Sequence, residues 1–196
     1  MKLFVGICNS QEEMPSQFFW SFTHIMNNYP TQMCRAWQPW DIGRNNYLIR
    51  EFLKSDADVF IKMDVDQIYP SAYFGVFVPL VKTYKVIGPL IRDRWKDNNY
   101  RTLAFKSHKD GLVDFDLEGL NGIQEIPYAH TNLFVMREVL EKIDPPWYED
   151  SWDEYGIKRT KHVDFSYLDK IKNAGYPIHI FLDMKVGHKK SPEYVT

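Results

Sequence analysis

Two cysteines in 196 residues, Cys8 and Cys34, are too few and too far apart for a zinc motif or a disulfide framework. They are expected to be free thiols in a reducing compartment. No apolar run approaches the 18 residues of a membrane span, and the segment after Met1 lacks the basic and apolar regions of a secretory leader. No membrane insertion and a cytoplasmic location are therefore expected. A formal charge of −2 gives no general attraction to nucleic acid or to an anionic bilayer. Repeats and low-complexity linkers are also missing, so residues 1–196 read as one domain large enough to bury a full core.

Aromatic residues are what the chain has in excess, with twelve Tyr, thirteen Phe and six Trp. Packing accounts for most of them, and some are expected to form stacking walls. The stretch that organises the rest is Ala57 to Pro70, ADVFIKMDVDQIYP. Val59, Phe60, Ile61 and Met63, interrupted only by Lys62, read as a strand buried on both faces of a mostly parallel sheet. It ends in two carboxylates, Asp64 and Asp66. Ligands of open α/β sheets sit outside the carboxyl ends of the strands, which places this pair at a binding site. Carboxylates are hard donors suited to Mg²⁺ or Mn²⁺, whose other positions are filled by water and substrate phosphate. Spacing alone does not single them out: sixteen Asp give about one D-x-D pair by chance, and three occur. Only Asp64/Asp66 closes a buried-strand pattern.

In chain order, Lys2 to Cys8 reads as the first strand, with Asn9 able to face a ligand at its end. Pro15 opens a helix carrying Phe18, Phe19, Phe22, Ile25 and Met26, and Thr31 to Ala36 is a second strand. The next helix runs from Asp41, with Arg44 and Asn45 in its first turn, where Arg44 reads either as a solvated helix end or as a contact to nucleotide or phosphate. After the central strand, a helix from Pro70-Ser71 is expected to bend or stop at Pro79, and Lys85 to Leu90 forms another strand. This β-α-β-α-β-α-β order argues for an α/β doubly wound sheet. Arg92 to Pro127 breaks it and reads as an antiparallel or loop-rich insertion. Leu133 to Met136 is a strand and Arg137 to Ile143 a short helix. Trp147 to Tyr155 reads equally as a sugar-facing lip or a surface loop. A helix then starts at Val163 with Asp164 in its first turn and stops at Gly175. Ile178 to Leu182 and Met184 to Gly187 are final strands, and His188 follows.

With GRNNYLIREFL before the central strand, DVD on it, and VIGPLIRDR, LFVMREVLEKIDPPWY and HVDFSYLDKIKNAGYPIHIFLDMKVGH after it, nearly the whole chain resembles the small family-2-like GT-A glycosyltransferases of bacteria and phages. The resemblance implies a GT-A, Rossmann-like fold: a central mostly parallel sheet flanked by helices. It implies a nucleotide-diphosphate sugar donor, a UDP-sugar favoured, with Mn²⁺ or Mg²⁺. Asp66 would be the direct metal ligand, Asp64 would point toward ribose or metal, and His188 would complete the metal site. Asn9, Arg44, Asn45 and Arg92 or Arg94 would contact the donor. The acceptor would be a glycan, a protein or a modified nucleobase, and the compartment that of the host for a phage-encoded chain.

Two departures from the pattern stand out. Lys161 and His162 occupy the place of the Glu-Asp pair whose Asp is the base of inverting members. His162 could serve as that base, Asp164, Asp153 or Glu154 could replace it, or a retaining enzyme would need none. His130-Thr131-Asn132 stands where relatives often have a Gly-rich turn, implying an altered pocket. A nucleotidyltransferase would carry a Gly-rich basic loop near its start, which Lys2 to Ser10 lacks. A catalytically degenerate homologue that binds sugar nucleotide or glycan is the alternative to a transferase.

Overall fold

The computed structural model describes residues 1–9, 14–38, 41–91, 102–107, 113–152, 154–155 and 159–188, with the side chains of Ile25, Arg159 and His188 excepted. In chain order the elements are β1 Leu3–Cys8, α1 Ser16–Met26, β2 Thr31–Ala36, α2 Asp41–Lys54, β3 Val59–Asp64, β4 Gln67–Ile68, α3 Tyr73–Tyr84, β5 Val86–Ile91, β6 Ala104–Ser107, β7 Val113–Asp114, β8 Ile123–Glu125, β9 Tyr128–Ala129, β10 Phe134–Met136, α4 Arg137–Glu141, β11 Ser151–Trp152, β12 Arg159–Lys161, α5 Val163–Asn173 and β13 His179–His188. The main sheet runs β2-β1-β3-β10-β5-β13-β4, with β8 also on β13.

β2, β1, β3, β5 and β13 share one direction, as the expectation of a mostly parallel sheet requires. Strand β10 is reversed between β3 and β5. That reversal matters for the site. An antiparallel strand begins where its parallel neighbours end, so the residues before Phe134 enter at the carboxyl edge of β3 and β5.

Alternation along the strands divides the core between the two faces. Val59, Ile61 and Met63 pack with Phe18 and Phe22 of α1 and with Tyr73, Phe74, Phe77 and Val81 of α3. Phe60 and Phe4 pack on the other face with Leu48, Ile49 and Phe52 of α2 and Leu168 and Ile171 of α5. Each such side chain contributes about 1.5–3 kcal/mol by burial. Gly6 lets α2 approach: a Cβ there would meet Leu48 Cδ1 and Phe60 Cε2, both at 3.1 Å. The far end of α2 is tied by Arg137, which donates to the carbonyls of Phe52, Ser55 and Ala57 at 3.0, 2.8 and 2.7 Å.

Of the two outcomes expected at Pro79, the helix does not stop there: α3 continues through it to Tyr84. Pro79 and Gly75 lie on the exposed side, so the carbonyl that loses its helical donor is open to water. The roughly 3 kcal/mol cost of an interior proline is offset by the buried face from Tyr73 to Val81. The final strands form a single element, interrupted where Phe181 pairs with Pro89 and the ladder resumes only at Lys185. Pro89 has no N–H to donate, and the bulge accommodates its loss. The insertion does contain an antiparallel piece, β7-β6-β9.

Gly88 is the tightest point of β5. An added Cβ would lie 2.6 Å from Leu133 Cδ2 and 3.0 Å from the Asn132 carbonyl oxygen. Gly88→Ala is expected to cost about 1–3 kcal/mol in urea unfolding, because the buried Leu133 side chain must shift and the Asn132 carbonyl is crowded.

Candidate active site

Four local features converge at one sheet edge. β1 and β3 end side by side, with Gly6 opposite Lys62 and Cys8 opposite Asp64. Lys62 and Asp64 are two apart in a strand and therefore share a face, the one covered by α2 and α5. The first turn of α2 brings Arg44 and Asn45, and the start of α5 brings His162 and Asp164. Entering with β10 come His130, Thr131 and Asn132, all buried.

Lys62 is the residue that sequence reasoning passed over. Its Nζ donates to Asp64 Oδ1 and Oδ2 and to Asn132 Oδ1, each at 2.9 Å. All three ammonium hydrogens are thereby used, and the side chain is 9% exposed against 27% for Asp64. Burial works against this charge, but Asp64, through its charge and its hydrogen bond, together with Cys8 and Asp164 outweighs it and holds the ammonium well above its ordinary pKa. The network continues inward. Asn132 Nδ2 donates to Gln67 Oε1 at 2.7 Å, Tyr69 Oη donates to the same oxygen at 2.9 Å, and Asp64 N donates to Tyr69 Oη at 3.0 Å. His130 receives Asn132 N on Nδ1 at 3.0 Å, so its Nε2 carries the hydrogen donated to Pro89 O at 2.7 Å.

Around this core, Cys8 donates to Asn45 Oδ1 at 3.2 Å. Burial pushes the Cys8 thiol up to about 12, so it stays protonated at neutral pH. Asn9 and Asn45 are both buried. Arg44 pairs with Asp41 and donates to Gln38 O at 2.9 Å. Asp66 is half-buried in the turn between β3 and β4. The backbone of His188 lies opposite Gln67, one residue from Asp66. Arg92, Arg94 and Asp153 lie outside the described residues, and Glu154 is exposed.

At α5, His162 is the N-cap: its Nδ1 accepts from Asp164 N at 3.3 Å. The neutral ring consistent with that bond bears its hydrogen on Nε2. Asp164 Oδ1 accepts from Thr131 Oγ at 3.1 Å, and its charge acts on both Lys62 and Cys8. Lys161 turns the other way, to Asp169 at 2.6 Å. Trp147 and Tyr148 are buried, with Tyr148 stacked on Tyr167 at 4.3 Å, so this half of the aromatic stretch is structural. Trp152 and Tyr155 are exposed.

Asp169 carries a testable pH dependence. Burial alone would raise its pKa, but Lys161, Tyr128 Oη at 2.8 Å and Lys172 at 3.1 Å outweigh it and hold the carboxyl at about 2. A depressed native pKa stabilises the fold above the unfolded value near 3.9, and the contribution fades as pH falls through about 2. Asp169→Asn should therefore cost about 1–2 kcal/mol at pH 7 and little near pH 2, read by denaturant unfolding at both.

Solved structures resemble the whole of this arrangement. A197 from STIV superposes with a TM-score of 0.66 at 15% identity, over 97% of this chain and 87% of that one. GalNAc-T7 with UDP, GalNAc and Mn²⁺ gives 0.60 at 14%, over 99% and 46%. S. aureus TarS 1-349 with UDP gives 0.58 at 9%, over 98% and 62%. The fold is GT-A. Neither a protein-family model nor a curated protein sequence matches the chain. The chain spans under half of the GalNAc-T7 chain and about three fifths of the TarS fragment. Among the described residues no helix of this GT-A fold is long and apolar enough to cross a membrane.

Hard-donor chemistry at Asp66 fits a divalent cation, whereas Asp64 already has the Lys62 ammonium across both oxygens. Among the described residues no three His, Cys, Asp or Glu side chains cluster as a metal cage. A cation here would depend on substrate oxygens, as Mg²⁺ sites commonly do.

Proposed function

We propose that the protein is a glycosyltransferase, a single GT-A domain acting in the cytoplasm, that moves a sugar from a nucleotide-diphosphate sugar to an acceptor hydroxyl. The observation that carries this is the meeting of Asp64, Asp66, the start of α2 and Asp164 at the carboxyl edge of a GT-A sheet. UDP in the GalNAc-T7 and TarS structures, with Mn²⁺ in the former, supports a UDP-sugar donor. Arg44 and the α2 N-terminus would hold phosphate, with Arg92, Asn9 and Asn45 as further contacts. Asp66 and His188 would hold Mn²⁺ or Mg²⁺. When bound, the cation neutralises the charge that develops on the diphosphate as the glycosidic bond breaks.

Asp164 is the base in this reading. It takes the acceptor hydroxyl proton while the acceptor oxygen bonds to the anomeric carbon and the nucleotide diphosphate leaves, a single displacement with inversion. His162 positions it by capping α5; a basic lone pair on Nε2 would require the tautomer that gives up the cap. Acceptors remain a glycan, a protein or a modified nucleobase, the last with no help from net charge.

Asp66→Ala is expected to weaken UDP binding in the presence of Mn²⁺ by about tenfold or more, measured by calorimetry. Unchanged affinity would remove Asp66 from the site.

A further inference from the structure

We infer that Lys62 is an internal counter-ion that takes Asp64 out of metal coordination and so weakens the protein's own affinity for divalent cations. The inference rests on the proposed donor site and adds a residue to it. Three observations combine. The Lys62 ammonium lies 2.9 Å from each Asp64 oxygen, a symmetric fork that covers the side of the carboxylate a bidentate cation would use. The ammonium cannot swing away cheaply, because it is buried and its third hydrogen is fixed by Asn132 Oδ1 at 2.9 Å. Asn132 is itself fully buried and held by Gln67, so the cation has a built socket rather than a chance neighbour.

The electrostatic consequence follows from counting charge. Two adjacent carboxylates would present −2 to a divalent ion, but with Lys62 across Asp64 the three groups present −1, and Asp164, on α5, is the other acid whose charge reaches Lys62. A fixed positive charge a few ångströms from a divalent ion also repels it, in surroundings that screen less than water. The protein alone is thus a weak cation site. The cation is expected to bind chiefly together with the diphosphate, whose oxygens supply the missing negative charge. Lys62 sets how far metal and nucleotide binding depend on each other.

Mn²⁺ titration followed by the electron paramagnetic resonance signal of the free ion tests this without any sugar donor. Lys62→Met, nearly isosteric and uncharged, frees Asp64 and should bind Mn²⁺ at least tenfold tighter than the parent. Lys62→Met/Asp64→Ala removes the neutral pair together and should return to within about threefold of the parent. Unchanged or weaker Mn²⁺ binding in Lys62→Met, with a parent-like circular dichroism spectrum, would overturn the inference. So would a tenfold loss in the double variant, because Asp64 would then be a ligand despite Lys62. If Lys62→Met fails to fold, Lys62→Gln, also uncharged and able to keep a hydrogen bond to Asp64 or Asn132, carries the same titration with the same two outcomes. UDP titrated into the parent in Mn²⁺ buffer reads the transferase assignment separately: nucleotide binding without any Lys62 effect on Mn²⁺ would overturn only the role given to Lys62.

Discussion

Asp64→Ala is expected to lower the unfolding free energy by about 3 kcal/mol, a fall of about 6–12 °C in melting temperature for a chain of this size. The loss comes from what is left behind. Without the carboxylate, the buried Lys62 ammonium keeps only Asn132 of its three acceptors, with Asp164 as its remaining opposing charge. An ion without its partner costs several kcal/mol in such a place, while replacing both members by neutral groups is often harmless. Lys62→Met in the same chain should therefore restore most of the stability lost by Asp64→Ala. Urea unfolding of the two single variants, the double variant and the parent closes the cycle. A double variant no more stable than Asp64→Ala would mean that the pair is not the unit of stability described above.

Asp164→Asn should have the larger effect on turnover, a fall of about 10²–10⁴ in kcat with nucleotide affinity changed little, as befits the loss of a general base. The amide keeps the Thr131 bond and the shape of the helix start but accepts no proton. His162 offers the control. His162→Asn retains an N-cap of good propensity, and kcat should stay within about tenfold of the parent, with less than 1 kcal/mol lost in stability. The reverse pattern, a large loss in His162→Asn and a small one in Asp164→Asn, would transfer the role of base to His162.

Legibility of the chain varied with the range of the interactions involved. β3 announced itself because burial on both faces leaves a run of Val, Phe, Ile and Met, and α2 and α5 because their buried faces recur at helical spacing. These are local signals. That α3 does not stop at Pro79 was not legible, because the packing of Tyr73, Phe74, Phe77 and Val81, which keeps it helical, is tertiary. Lys62 had a signal that went unused: a strand residue two before Asp64 must share its face, and a lysine there can bond the carboxylate. Asn132 had none. Its contact with Lys62 spans 70 residues and exists only because β10 enters the sheet reversed. The same reversal brings His130-Thr131-Asn132 to the carboxyl edge of β3 and β5. The sequence pattern marked these residues as a departure, and the structure makes them the socket for Lys62 and the hydrogen-bond partner of Asp164. The helix start at Val163 was legible, whereas the placement of His162 as its cap, with Nδ1 3.3 Å from Asp164 N and 3.5 Å from Asp164 Oδ2, was not.

The most direct measurement incubates the protein with a panel of nucleotide sugars and Mn²⁺, with and without chelator, and scores released nucleotide diphosphate. The account predicts release from one donor, a UDP-sugar, suppressed by chelator and by Asp66→Ala. Release from no donor, together with Mn²⁺-dependent binding of UDP, would contradict turnover and leave a binding protein on a GT-A frame.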